Sequence, residues 1–130
     1  MPKYDSTEKA DTVFGELFQI LVKDETFVSK MTESNLTFRL VHTNPDCKIF
    51  VSPEGVLLGD DVPESASITI KMSCDTANSL WLGTLAMPTA VATGKVRIRG
   101  KVAKVLELVP ILRPAFDRYP ELAASHGIEN

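Results

Sequence analysis

The stretch of sequence that decides the fold is residues 67–75, which read Ser67-Ile68-Thr69-Ile70-Lys71-Met72-Ser73-Cys74-Asp75. As far as Ser73 the stretch alternates between polar and apolar side chains, the pattern of a β-strand with one buried and one solvated face. Asp75 is then a good helix N-cap, because its carboxylate accepts hydrogen bonds from first-turn amides, and Gly83 suits the C-terminal cap. The stretch therefore predicts a strand that passes directly into a short helix.

Three further strands are predicted upstream. Residues 36–40 alternate, and a turn signal at residues 44–46 leads into a strand over Cys47–Ser52. Residues 53–55 mark another turn before the short apolar run at residues 56–58. These segments predict an antiparallel meander.

Downstream, two helices and a fifth strand are predicted. Pro88 suits the first turn of a short helix that Gly94 ends, and residues 95–99 alternate as a strand. Residues 101–112 predict a helix with only a narrow polar strip, although a helix on a sheet needs an apolar stripe of only about 100°. The surplus apolar surface must face another helix, a ligand cavity or a second copy of the chain. From Pro114 onward we expect a tail.

The N-terminal part predicts helices. Residues 11–21 carry a broad apolar face that includes Phe14 and Phe18, with Thr12 and Glu16 on the opposite side. A shorter helix is expected over residues 26–31.

Composition places the chain among globular proteins, with one domain over residues 1–130. The chain is 44% hydrophobic and 24% charged, and its formal net charge is −3. That charge disfavours a nucleic-acid partner, because binding phosphates requires a basic face. No apolar run approaches the roughly 18 residues of a membrane span.

The cysteines and the start of the chain favour a cytoplasmic location. Cys47 and Cys74 lie far apart without Cys-x-x-Cys spacing, and Met1-Pro2-Lys3-Tyr4 lacks the basic and apolar regions of a secretory signal. Unpaired thiols are typical of a reducing compartment.

No residue pattern predicts catalysis, a metal or a cofactor. His42 and His126 are the only histidines, and their spacing does not bring metal ligands together. Cys74 is expected to fill space at a strand end, and Asp60 and Asp61 to lie on a solvated turn. Nucleotide-binding glycine loops and a hydrolase nucleophile elbow are absent. The sequence thus predicts a protein that is not an enzyme.

Four segments closely resemble the sterol carrier protein 2 family in order and spacing: residues 67–75, Trp81-Leu82-Gly83, residues 90–100 and residues 106–112. The resemblance implies an α/β (α+β) fold, a five-stranded, mostly antiparallel sheet covered by helices, with an apolar tunnel between sheet and helices. It also implies non-catalytic binding and transfer of a fatty acid, fatty acyl-CoA, sterol or phospholipid.

The sequence departs from this family at two places. Eukaryotic members commonly end in a peroxisomal tripeptide, whereas this chain ends Ile128-Glu129-Asn130. Many members have Gln before the glycine at Gly94, where this chain has Thr93.

The helical patterns predict the residues that line the cavity. Trp81 is alternatively a plain core residue. The apolar face of residues 101–112 alternatively packs against the Phe14 face of the first helix or forms a homodimer seam. The predicted ligand-binding residues are Phe14, Phe18, Trp81, Met87, Val105, Leu108, Val109, Leu112 and Phe116.

A cluster of cations follows the fourth strand: Lys95, Arg97, Arg99, Lys101 and Lys104. It would attract the phosphates of acyl-CoA or an anionic membrane during transient contact, or it would protect an exposed sheet edge from pairing with other chains. Two functions compete with the carrier. One is an accessory module that presents an acyl or steroid substrate to a partner enzyme of lipid metabolism, and the other is a small enzyme with an apolar substrate.

Overall fold

The structure, a computed structural model, describes residues 4–128. This part of the chain begins with two capped helices. Helix α1 (Thr7–Val22) and helix α2 (Glu25–Glu33) each begin where a polar side chain, Ser6 or Asp24, accepts a hydrogen bond from a first-turn N–H. Both helices begin earlier than the sequence pattern predicts, because the polar residues after each cap are helical as well.

Five strands follow along the chain: β1 (Phe38–Thr43), β2 (Cys47–Ser52), β3 (Gly55–Leu58), β4 (Ile68–Ser73) and β5 (Arg97–Arg99). They form one sheet in the order β3-β2-β1-β4-β5. Neighbouring strands are antiparallel except β1 and β4, which are parallel. The predicted α+β fold with a five-stranded, mostly antiparallel sheet and an N-terminal meander is therefore confirmed.

The sheet has one buried and one open face. Along β1 the side chains of Phe38, Leu40 and His42 are buried, and the residues between them are half-buried. The strand register places Ile49 and Ile70 on either side of Leu40, so three strands share one apolar surface. This surface forms a common core with α1.

Every charged side chain of the strands lies on the open face, and none of them is acidic. The five are Arg39, Lys48, Lys71, Arg97 and Arg99, and Lys71 pairs directly with Arg97. Within the described part of the chain, none of these five cations has an ion-pair partner. We call this set the basic sheet face.

Strand β4 passes without a loop into helix α3 (Cys74–Leu82), as predicted. The predicted cap at Asp75 is wrong, because the hydroxyl of Ser73 accepts the hydrogen bond from Thr76 N–H at 3.0 Å, and the N-cap therefore lies two residues earlier. Gly83 ends α3 with a φ of +81°, as the sequence predicts. Helix α4 (Met87–Ala92) follows.

The C-terminal segment corrects two predictions. The single helix expected over residues 101–112 is helix α5 (Val102–Leu108) followed by a 3₁₀ turn (Val109–Leu112). Pro110 causes this change, because it lacks the N–H of an α-helical hydrogen bond. The expected tail is instead helix α6 (Arg113–Ser125).

Helix α6 places His126 at its C-terminal cap, with the His126 Nε2 atom 3.6 Å from a carboxylate oxygen of Glu16. The interpretations drawn from residues 1–3 and 129–130 lie outside the described residues. Between Tyr4 and Ile128, no helix combines the length and apolarity that crossing a membrane requires. A 3₁₀ turn carries Asp60 and Asp61 on the surface.

Candidate functional site

An apolar pocket of about 290 Å³ lies between the buried face of the sheet and the helices. Its floor consists of side chains from β1, β2 and β4, and its other walls come from all six helices, the loop between α3 and α4, and the 3₁₀ turn after α5. The lining residues are Phe18, Phe27, Phe38, Leu40, His42, Val51, Ile70, Met72, Leu80, Trp81, Gly83, Leu85, Ala86, Met87, Pro88, Val105, Leu108, Val109, Leu112 and Phe116.

The structure brings eight of the nine predicted ligand-binding residues to this pocket: Phe18, Trp81, Met87, Val105, Leu108, Val109, Leu112 and Phe116. Phe14 is not among the lining residues. Its ring stacks on those of Tyr4 and His42, with centroid separations of 4.7 Å in both cases. One helical turn thus separates a lining residue, Phe18, from a residue that packs behind the wall.

Three aromatic rings form one corner of the pocket. Trp81 meets Phe18 edge-on, with ring centroids 5.7 Å apart, and lies 5.2 Å from the ring of Phe116. Such contacts fix large rings in place and are worth about 0.5–1.5 kcal/mol beyond their burial. The two predicted roles of Trp81 therefore coincide, because it both packs against other core residues and lines the pocket.

The floor of the pocket is what the sequence pattern missed. Phe38, Leu40, Val51, Ile70 and Met72 all come from strands. A signal for them was present, because alternation assigns each of them to the apolar face of its strand. A cavity between sheet and helices must have that face as its floor.

The opening lies beside the loop that joins α3 to α4. Gly83, Ala86 and Pro88 line the pocket and are exposed, and Leu112 and Phe116 opposite them are half-buried. Among residues 4–128, no charged side chain belongs to the lining. A ligand that enters here therefore meets an apolar rim as well as apolar walls.

His42 and Trp81 carry the polar side-chain atoms of this lining. The His42 side chain is 2% exposed, and its Nδ1 lies 3.1 Å from the carbonyl oxygen of Cys47. Burial lowers the pKa of His42 to about 4, and the hydrogen bond to Cys47 only partly offsets this effect. The ring is therefore neutral at pH 7.

The buried thiols and phenols lie outside the pocket lining. Burial raises the pKa of Cys47, and the nearby carboxylate of Asp11 raises it further. Burial also raises the pKa of Cys74 to about 12. Both cysteines are free thiols, and at neutral pH they are protonated and poor nucleophiles. Among residues 4–128, no three His, Cys, Asp or Glu side chains are grouped as metal ligands would be.

The described residues thus define an α+β domain in which helices cover one face of a mixed sheet and an apolar pocket lies between the two layers. Comparison with solved structures shows that this is the fold of sterol carrier protein 2 domains. Sterol carrier protein 2 from Yarrowia lipolytica, in its apo form, matches with a TM-score of 0.65 and 17% identity, over 83% of this chain and 93% of that one.

Two further solved structures also match. Sterol carrier protein 2 from Aedes aegypti, in complex with the C16 fatty acid palmitate, matches with a TM-score of 0.56 and 16% identity, over 82% of this chain and 96% of that one. The sec-alkyl sulfatase PisA1 matches with a TM-score of 0.52 and 21% identity, over 64% of this chain but only 14% of the sulfatase.

No protein-family model matches the sequence, and no curated protein matches it by sequence. The resemblance noted in the sequence is thus confirmed through the fold.

Proposed function

We propose that the chain binds one long apolar ligand, a fatty acid, fatty acyl-CoA, sterol or phospholipid, in the pocket and transfers it without chemical change. The observation that carries the proposal is the lining, where apolar side chains enclose the space and no charge is present. Burying one methylene is worth about 0.8 kcal/mol. A chain of about 16 carbons gains roughly 10 kcal/mol before the cost of association is subtracted, so few polar contacts are needed.

The size of the pocket supports a ligand with one chain. Its volume of about 290 Å³ lies at the small end of ligand sites, which span about 300–1,000 Å³. A single acyl chain or a sterol suits this space better than a lipid with two chains. The palmitate complex of the Aedes aegypti protein supports the same class of ligand.

We propose binding without catalysis because of the side chains that line the pocket. Nucleophilic catalysis requires a nucleophile within hydrogen-bond reach of a base. Along the pocket wall, His42 is the one titratable residue, and no Ser, Thr, Cys, Asp or Glu belongs to the lining. We therefore propose a binding protein that requires neither a metal nor a cofactor.

A second candidate is an accessory module that presents an acyl or steroid substrate to an enzyme of lipid metabolism. The match to a 14% portion of the sec-alkyl sulfatase favours it, because there the same fold is one part of an enzyme. Transfer of a fluorescent fatty acid between vesicles separates the two. A rate that rises with protein concentration supports the carrier, and a rate that does not rise favours the module.

The two cysteines bear on the location of the protein. We propose one domain over residues 1–130 and a cytoplasmic location, since Cys47 and Cys74 are both buried and unpaired. The proposed partners are the small lipid, and in passing a membrane or an enzyme of lipid metabolism, but no nucleic acid.

A bulky residue at the opening tests the binding site. Ala86 is exposed at the rim and lines the pocket, so Ala86→Trp places an indole across the entrance. We expect the Ala86→Trp variant to bind a fluorescent fatty acid at least about tenfold more weakly than the unmodified protein, which corresponds to about 1.4 kcal/mol.

Ala92→Trp is the matched control, because Ala92 is an exposed alanine on α4 that does not line the pocket. It should bind the fatty acid like the unmodified protein. Thermal unfolding of both variants checks that they fold. Equal affinity of the two folded variants would contradict binding in this pocket.

A further inference from the structure

The pocket wall contains a hydrogen-bond acceptor that no group of residues 4–128 uses. The Cys47 carbonyl oxygen accepts the hydrogen bond from His42, and a carbonyl has no proton to give. The single proton of the neutral imidazole must therefore lie on Nδ1. This tautomer leaves a lone pair on Nε2 of His42.

The Nε2 atom of His42 has no hydrogen-bond partner among residues 4–128. Within residues 4–128, Oδ1 of Asp11 is the one completely buried side-chain oxygen or nitrogen atom that lacks a hydrogen bond. Because Nε2 of His42 also lacks a hydrogen bond but is not completely buried, it retains some accessible surface, although the residue as a whole is only 2% exposed. His42 belongs to the pocket lining, and the opposite side of its ring, at Nδ1, is occupied by the Cys47 carbonyl; both observations support a position of Nε2 on the pocket side.

The ring cannot turn easily to hide this atom. One face of the imidazole stacks on Phe14 with an angle of 6° between the ring planes, and its Nδ1 is tied to the neighbouring strand. The acceptor is thus held in place before a ligand arrives, which is the arrangement that gives a hydrogen bond its specificity.

We propose that Nε2 of His42 accepts a hydrogen bond from the ligand, so that the pocket selects lipids whose inserted end carries a neutral O–H donor. This inference rests on the proposed function. A carboxylate cannot serve, because it only accepts hydrogen bonds and no cation lines the pocket to balance its charge. A ligand with no donor would leave Nε2 buried and unpaired, a penalty that lowers affinity about tenfold or more.

A matched pair of probes tests the inference on the unmodified protein. 1-Hexadecanol carries the donor, and its methyl ether carries the same chain and oxygen without the donor. Displacement of a fluorescent fatty acid gives the affinity of each. We expect the alcohol to bind at least about tenfold more tightly than the ether.

Two variants assign the difference to His42. His42→Phe keeps an aromatic ring on Phe14 but has no acceptor, and should bind both probes within about twofold of each other. His42→Gln keeps a donor and an acceptor, and should retain part of the preference for the alcohol. If His42→Phe does not fold, the ¹⁵N resonance of Nε2 in the unmodified protein decides, because it should shift on binding the alcohol and not the ether.

The outcomes separate this inference from the proposed function. Equal and measurable affinities for the two probes in the unmodified protein would overturn the role of His42 and leave lipid binding intact. Failure of the fatty acid and of both probes to bind would overturn the proposed function itself. A preference for the alcohol that survives in folded His42→Phe would also overturn the role of His42.

Discussion

Tyr119 is the residue on which a buried polar network depends. Its hydroxyl donates to Oδ1 of Asn78, so its only proton is used, and the hydroxyl of Tyr4 must donate to the oxygen of Tyr119. All three side chains are buried. Burial raises the pKa of both phenols, and proximity to Tyr119 raises that of Tyr4 further. The network joins the N-terminal segment, α3 and α6.

Removing the central hydroxyl should destabilise the protein more than removing the terminal one. Tyr119→Phe leaves both Tyr4 and Asn78 without partners and should lower the free energy of unfolding by about 2–4 kcal/mol. Tyr4→Phe removes one hydrogen bond and should cost about 1–2 kcal/mol. Urea denaturation measures both. A larger effect of Tyr4→Phe would contradict the central place of the Tyr119 hydroxyl in the network.

His42 should make stability depend on pH. Its pKa is about 4 in the folded chain and 6.5 in the unfolded chain, so between these values only the unfolded state binds the proton. The stabilisation is complete above pH 6.5 and falls by about 1.4 kcal/mol per unit as the pH decreases towards 4.

A comparison with His42→Gln isolates this dependence from that of the surface carboxylates. The difference in free energy of unfolding between the two proteins should shrink by about 2 kcal/mol from pH 7 to pH 5. Denaturant unfolding at the two pH values measures it. A difference that stays constant would mean that His42 titrates normally.

At the level of elements, the pairing of β5 with β4 brings their backbones close together at Gly100. Gly100, directly after β5, has a φ of +127°, and a Cβ there would lie 3.0 Å from the backbone oxygen of Ser67 and 3.2 Å from Cγ1 of Ile68. Gly83 also has a positive φ, of +81°, but nothing lies within 4 Å of its added Cβ.

Alanine at these two glycines should therefore have different effects. Gly83→Ala should cost about 1 kcal/mol, the penalty for an L-residue in the left-handed region. Gly100→Ala adds a clash with backbone that cannot move aside, and should cost at least about 2 kcal/mol. Thermal unfolding measures the difference, and equal costs would show that β5 shifts freely to admit a side chain.

The elements that the sequence predicted well are those whose signals are local. Alternation over residues 67–73 gave β4, and Gly83 marked the end of α3, because both depend on neighbouring residues alone. The cap at Asp75 was misplaced, since Ser73 can cap equally well and only the length of β4 decides between them. The expected tail was wrong because Pro114 and Pro120 suggested an irregular chain. In fact Pro114 lies in the first turn of α6, and Tyr119 anchors that helix.

At the level of the whole molecule, the candidate site shows where sequence reasoning stops. Helical-wheel patterns predicted the lining residues on the helices. The strand residues of the floor were not predicted, because they depend on which face of the sheet the helices cover, which is a matter of tertiary structure. The same limit explains Phe14, which has the pattern of a lining residue but packs against Tyr4 and His42. A periodic pattern shows that a residue is buried without showing what it contacts.

The charge distribution of the molecule gives a salt-dependent prediction. The basic sheet face collects five cations on a chain of net charge −3. Replacing Arg97 and Arg99 by Gln should weaken acyl-CoA binding at low ionic strength and have little effect at high ionic strength, because the Debye length falls to about 3 Å at 1 M salt.

A neutral sterol is the control, because its binding should be the same with and without these arginines. Fluorescence displacement at two salt concentrations gives all four affinities for each protein. If acyl-CoA binding is also unchanged at low salt, the arginines serve to keep the edge strand β5 from pairing with other chains.

The position of Trp81 gives the protein its own optical reporter. It is the only tryptophan in the chain, and its ring contributes to the wall of the pocket beside Phe18 and Phe116. Light absorbed at the red edge of the ultraviolet band excites this indole and not the tyrosines. Its emission therefore reports the polarity of the pocket alone, and an occupant that displaces water from the ring moves that emission to shorter wavelengths in the unlabelled molecule.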